Sequence, residues 1–200
     1  YYDVSLGYGS SNQVASITAA GLTPILVNTL TAAALAPLGV LYVQNPSNGS
    51  GSMRGANGVF SNGFSEVMNA VSNGMTLVIH DRAVDGSASY LPGGGGISLI
   101  RDFEFDSFID IVDSSNLFKT GPGGTLDDSS LDGGNSSSHG YAVADTLPVG
   151  SYWLLNNGNT TQIVAFSYAY RLGDVIYSSV PLDYYLDGAT PLSFRQVYAP

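Results

Sequence analysis

The chain has no cysteine, one lysine and only two glutamates. Without a thiol it can form neither a disulfide framework nor a cysteine-built zinc site, and it cannot run chemistry that needs a thiolate nucleophile. Charged residues make up only 11% of the sequence, and they are unbalanced. Sixteen acids, all aspartate except Glu66 and Glu104, face five arginines and Lys119, for a net charge of −10. A surface of that sign repels phosphate backbones and anionic headgroups, which argues against nucleic acid and membrane surfaces as partners. No run approaches the roughly 18 consecutive apolar residues of a membrane span. A charged leader with a cleavage site is also missing.

What is present is 200 residues, 44% of them hydrophobic, with 25 glycines, enough for one globular domain with a real core. Richness in Asp, Ser, Asn, Gly, Thr and Tyr, with so little Lys and Glu, leads us to expect an extracellular or cell-surface bacterial protein. The sequence opens directly on the strand-like Tyr1-Tyr2-Asp3-Val4. This suggests a domain of a larger secreted polypeptide, whose other domains are its partners.

Residues 3–8 read as a strand, and Gly9-Ser10-Ser11-Asn12 as a turn and N-cap for a helix reaching residue 20. Residues 23–28 form a second strand in this reading. Thr31 opens a short alanine-rich helix closed by Pro37, and the continuously apolar residues 40–44 suit a central parallel strand. Phe64, Val67, Met68 and Val71, at i, i+3, i+4 and i+7, define one face of an amphipathic helix. Residues 75–79 make the fourth strand. The alternation predicts a doubly wound, flavodoxin-like α/β fold, with a mainly parallel sheet and helices on both faces. Residues 81–138 read largely as loop, with short elements at 97–103 and 109–112. Runs at 152–155, 162–170 and 174–180, separated by Asn157-Gly158 and Leu172-Gly173, predict antiparallel strands at the C-terminal side.

Ligands of open α/β sheets bind outside the carboxyl ends of the strands. Two segments fall there: Gln44-Asn45-Pro46-Ser47-Asn48, and His80-Asp81-Arg82. One reading makes His80 a base or ligand-binding imidazole, with Asp81 or Arg82 orienting it or gripping a polar substrate. The other makes Asp81 and Arg82 an ion pair that ties down the following loop, with His80 donating to a backbone carbonyl. The only other histidine, His139, follows Ser137-Ser138, a cluster that can in principle activate a hydroxyl, although no carboxylate stands at a diagnostic offset.

Aspartates 102, 106, 110 and 113, then Asp127, Asp128 and Asp132, form an acidic constellation. Calcium takes six to eight oxygen ligands, so Asp127, Asp128 and Asp132 are the candidate calcium loop, and Asx-turns are the plainer use of the same residues. Gly93 to Gly96 lacks the lysine of a phosphate-binding loop. The C-terminal tyrosines and the single Trp153 can form a sugar-stacking platform or pack in the sheet.

The run Gly74-Met75-Thr76-Leu77-Val78-Ile79-His80, the segment Asn116-Leu117-Phe118 with Gly121-Pro122-Gly123-Gly124 leading to Ser138-His139-Gly140-Tyr141, and the closing run from Gly173 to Pro181 resemble the class I glutamine amidotransferase-like superfamily. Within it the likeness is to ThuA-like and related extracellular domains, often found beside calcium-binding repeats. In catalytic members a cysteine stands in a tight elbow after the strand that here ends at Ile79. This chain has His80-Asp81 there, so the resemblance implies a scaffold without its nucleophile, and His139 is the residue it aligns with a functional histidine.

These readings lean away from an enzyme. They lead us to expect a non-catalytic recognition or structural module that binds a glycan or other polar small molecule through Asn45, His80, Asp81, Arg82 and His139. The alternatives are a sugar-acting hydrolase or isomerase using His139 and Asp81 as acid and base, and a purely structural spacer of an adhesin.

Overall fold

The computed structural model describes residues 1–3, 12–45, 59–84, 87–102, 107–113, 115 and 117–200. Most of the first expected strand, the Pro46 to Asn48 segment and Asp106 lie outside them. In chain order the elements are β1 (Tyr2–Asp3), α1 (Gln13–Ala19), α2 (Ala32–Leu35), β2 (Val40–Asn45), α3 (Val59–Ser72), β3 (Thr76–Asp81), β4 (Leu99–Arg101), β5 (Asp110–Ile111), β6 (Thr120–Gly121), β7 (Gly124–Thr125), β8 (Gly140–Val143), β9 (Tyr152–Asn156), β10 (Gln162–Tyr170), β11 (Gly173–Ser178) and α4 (Leu182–Leu186). A π-helical turn, Phe194–Tyr198, closes the described chain.

The architecture is α/β. β1, β2, β3 and β11 lie side by side in parallel, and β10, β8 and β4 continue the sheet antiparallel, with β9 on β10 and β5 on β9. The expected antiparallel extension is therefore present, but β11 joins the parallel set rather than the extension. Strand β8, to which the sequence reading assigned no element, is also in the sheet.

Residues 23–28 do not form the strand expected of them. Pro24 has no N–H to give a ladder, Leu22, Ile25 and Leu26 stand about half exposed, and the segment meets the chain start through Val27 N–H to the Tyr1 carbonyl and the Tyr1 amino group to the Ile25 carbonyl. Asn12 precedes α1 but makes no capping bond. Its Nδ2 donates instead to the Leu186 carbonyl at 2.9 Å, a tertiary tie to the end of α4. Thr31 does cap α2, its hydroxyl accepting from Ala34 N–H.

Two apolar clusters sandwich the sheet. α3 lays Phe60, Val67 and Val71 on Leu41, Val43, Leu77, Ile79, Val175 and Tyr177. The second cluster gathers Leu154, Leu155, Val164 and Ala165 under Leu182, Leu186 and Phe194 from α4 and the closing turn. Burying each of these large side chains contributes about 1.5–3 kcal/mol. A bulge in β10 serves both clusters: its register with β9 slips between Ile163 and Phe166, so Val164 and Ala165 both face the second cluster while Ile163 and Phe166 face the first. Gly173 lets β11 start directly beneath the end of α3, where a Cβ would sit 2.3 Å from the carbonyl oxygens of Val71 and Met75.

Candidate functional site

The register places Asn45 beside Asp81, and Gln44, His80 and Ser178 in one row, all at the carboxyl ends of parallel strands. Side chains alternate across a sheet, so neighbours in sequence are sent to opposite faces. Asp81 lies on the α3 side and is fully buried. Its Oδ1 accepts from Asn45 Nδ2 at 2.6 Å and from Ala83 N–H at 3.1 Å, and its Oδ2 accepts from the Tyr177 hydroxyl at 2.9 Å. Burial, then Asp81 itself, pushes the Tyr177 hydroxyl well above the ordinary tyrosine range, so Tyr177 stays a donor.

Arg82 does not pair with Asp81. Its Nε meets Asp183 Oδ1 of α4 at 3.0 Å in an ion pair with both side chains buried, and its guanidinium lies 5.7 Å from the centre of the Tyr184 ring. His139 stands near it: its N–H donates to the Ser179 carbonyl and its own carbonyl accepts from Asp102 N–H. Arg101 reaches the Ala83 carbonyl in the same neighbourhood. Gly140 makes this crossing of β4 and β8 possible, with φ at +151° and a Cβ position only 2.2 Å from the Ile100 carbonyl. Ser137, one of the two serines before His139, donates its hydroxyl to the Leu131 carbonyl.

His80 belongs to the other face. Its Nε2 is 3.0 Å from the Tyr198 hydroxyl, which donates to Ser178 Oγ at 3.0 Å, and Ser178 Oγ also accepts from Val180 N–H. The His80 ring packs between Tyr42 and Tyr198, with centroids at 5.5 and 5.6 Å. The shared rim expected of His80, Asp81 and Arg82 thus resolves into three networks: Asn45 with Asp81, Arg82 with His139, and His80 with two residues that sequence reasoning missed, Ser178 and Tyr198. Ser178 lay inside the run 174–180 read as a strand, which in the structure ends at Ser178. Tyr198 carried no signal, because nothing local says which strand the closing turn covers.

His80, Ser178 and Tyr198 line a cavity of about 340 Å³ with Tyr42, Phe118 and Ile176. That volume falls at the lower end of the roughly 300–1,000 Å³ typical of small-molecule sites. Among the described residues no Asp, Glu, Lys or Arg side chain contributes to its lining, although the whole chain carries −10. His139 does not line it. A second cavity, about 430 Å³, opens at the other end of β3 among α2 and α3, where the lining holds no buried polar atom lacking a partner.

The acidic loop ties strands rather than gathering carboxylates at one point. Asp127 Oδ1 accepts from Ser129 and Ser130 in its own turn, Asp128 Oδ1 takes Ile111 N–H and Asp132 Oδ1 takes Ile109 N–H. Burial, then Asp128 and Asp132, pushes the Asp110 carboxyl upward. Among the described residues no group of three or more His, Asp or Glu is placed to hold a metal ion.

Burial pushes the His80 imidazole down to about 3. Burial, then Arg82 and Arg101, holds His139 down to about 4 against a hydrogen bond to the Arg82 backbone. In the unfolded chain both titrate near 6.5. The unfolded state therefore takes up protons first, and stability, complete above about pH 6.5, falls by up to about 1.4 kcal/mol per pH unit for each imidazole. The loss ends near pH 4 for His139 and near pH 3 for His80. Urea midpoints measured from pH 7 to 4 will show this acid slope, and H80Q and H139Q will each flatten it; an unchanged slope in both variants would refute the assignment.

No family model matches the sequence, and no curated protein matches it. Solved structures are similar in fold. Cytoplasmic Protein STM3548 from Salmonella typhimurium has 10% identity and a TM-score of 0.62, over 96% of this chain and 82% of that one. Cytoplasmic Protein STM1381 from Salmonella typhimurium LT2 has 13% identity and a TM-score of 0.62, over 96% and 83%. The exo-β-1,4-mannosidase Op5Man5 from Opitutaceae bacterium strain TAV5 has 10% identity and a TM-score of 0.55, over 96% of this chain but 29% of its own. The first two neighbours correct the expectation of an extracellular or cell-surface protein: both are described as cytoplasmic. Composition reports charge and solubility, and a Lys-poor, Asp-rich surface serves either compartment.

Proposed function

We propose that the chain is a recognition module without chemistry of its own, taking a small uncharged ligand against the carboxyl ends of β3 and β11. The observation that carries this reading is the contrast between the candidate residues and the cavity. Asp81, Arg82 and His139 are engaged in buried internal networks and Asn45 donates to Asp81, whereas the cavity beside His80 and Ser178 takes no Asp, Glu, Lys or Arg side chain from the described residues. The groups acting on His139 are cationic, and a general base would want a carboxylate beside it. The doubly wound, flavodoxin-like description suits a site at the strand ends, and an amidotransferase-like scaffold that has lost its thiol suits a binding role.

A ligand-observed NMR screen with uncharged fragments tests this. Hits are expected, and they are expected to vanish when A165F or V197W fills the cavity from opposite walls. An empty screen, or hits that survive both variants, would sink the proposal. The likeness to a segment of a mannosidase favours a second reading, recognition of a mannose-type sugar at the same strand ends, and mannobiose in the screen separates the two.

A further inference from the structure

The His80 cavity has neighbours on its own face of the sheet. Leu41, Val43, Leu77 and Ile79 point toward α3, so Val40, Tyr42, Val78 and His80 point the other way, and the register sets Tyr42, Val78 and Ile176 in one row across β2, β3 and β11. The His80 cavity, about 340 Å³, lies on this row beneath the closing turn. A smaller cavity of about 120 Å³ adjoins it under α1 and α4, and the two share Tyr42, Val78 and Ala199 as walls. A third, about 270 Å³, carries on to Tyr1 at the β1 edge and shares Ile17, Leu22, Val40 and Tyr42 with the second. Tyr42 borders all three, and its hydroxyl is tied to Gln44 Oε1 at 3.1 Å while its ring packs on His80.

The three linings have one chemistry. Among the described residues none of them takes an Asp, Glu, Lys or Arg side chain. The middle cavity is walled by Ile17, Val40, Leu182 and Leu186, with Gln13 and Ser16 of α1 as its polar members. Ser178 and Tyr198 bring hydroxyls to the His80 end. At the far end Leu22 and Ile25 line the cavity and stand about half exposed. Apolar cavities of this kind take up apolar guests, because the wall offers water too few partners. Two strand spacings, about 10 Å, separate β3 from β1. A zigzag carbon chain advances by roughly 1.2 Å per bond, as an extended backbone does, so about eight to ten carbons cover that distance. A sugar ring fits the first cavity but has no use for the other two.

Building on the recognition reading above, we propose that the ligand is an unbranched aliphatic chain with an uncharged hydroxyl head, its head beside Ser178 and Tyr198 and its tail running past Tyr42 under α1 toward Leu22. The probes are 1-butanol, 1-hexanol, 1-octanol and 1-decanol, titrated into the 200-residue chain with the methyl resonances of Ile17, Leu22, Ile176 and Val197 recorded by NMR. Affinity is expected to rise roughly two- to fourfold per added methylene through decanol. Butanol is expected to shift Ile176 and Val197 alone, and octanol and decanol to shift Ile17 and Leu22 as well. S16F, which fills the middle cavity from α1, is expected to bring decanol down to the affinity of hexanol and to erase its shifts at Leu22; A20F, at an exposed position one turn further on, gives the same result without a buried substitution. Equal binding of butanol and decanol, a gain with no shift at Ile17 and Leu22, or a gain that survives both variants would overturn the aliphatic ligand and leave the recognition module standing. If no alkanol binds while the fragment screen gives cavity-dependent hits, the ligand class alone fails; if the screen is also empty, both readings fail together.

Discussion

Replacing Arg82 with alanine is expected to lower the thermal midpoint by roughly 6–20 °C. Removing one member of a buried ion pair strands the other charge at about 3–5 kcal/mol, and for a chain of this size each kcal/mol moves the midpoint by about 2–4 °C. The stranded charge is Asp183, 1% exposed, held by Arg82 Nε at 3.0 Å. The variant also removes the guanidinium packed near Tyr184, so α4 loses two tethers to the end of β3. D183N is expected to cost a similar amount. The double variant R82M/D183L, which removes both charges and keeps apolar volume, is expected to recover most of the loss. Calorimetry on the four proteins decides it: additive losses in the double variant would mean the pair is solvated and its partners independent.

Asp81→Leu is expected to destabilise by at least about 3 kcal/mol, because it leaves Asn45 Nδ2, Ala83 N–H and the Tyr177 hydroxyl without their shared acceptor at about 1–3 kcal/mol each. The carboxylate is fully buried and is satisfied by neutral donors alone. Asp81→Asn should cost about half as much, since the Tyr177 hydroxyl can turn and accept from the new amide. Tyr177→Phe combined with Asp81→Asn then gives a coupling energy of roughly 0.5–3 kcal/mol in a double-mutant cycle. Guanidinium unfolding measures all four states. A loss below about 1 kcal/mol for Asp81→Leu would place water, rather than these three donors, around the carboxylate.

The two variants also separate architecture from recognition. Both networks lie away from the lining of the His80 cavity, so surviving native protein should keep its cavity-dependent fragment hits even where stability has dropped.

The sequence by itself determined that no thiol chemistry occurs and that residues 40–44 and 75–79 become central parallel strands. It also determined that Phe64, Val67 and Val71 turn one face of α3 toward the sheet, although Met68, expected on the same face, is not part of that cluster. Those features are written in consecutive residues, since a period of two or 3.6 needs no knowledge of the rest of the chain. It also located His80, Asp81 and Arg82 at a strand end, which the register bears out for the first two. Their grouping was not legible. Adjacent residues of a strand point to opposite faces, and each found a partner that only chain closure could supply: Tyr177 for Asp81, Asp183 for Arg82 at a separation of 101 residues, and Tyr198 for His80 at 118. Residues 23–28 failed for the complementary reason, because a strand-like composition becomes a strand only when a neighbour takes up its ladder. The uncharged cavity is likewise a tertiary product, formed where the closing turn settles over β3 and β11 in a chain whose average charge gives no hint of it.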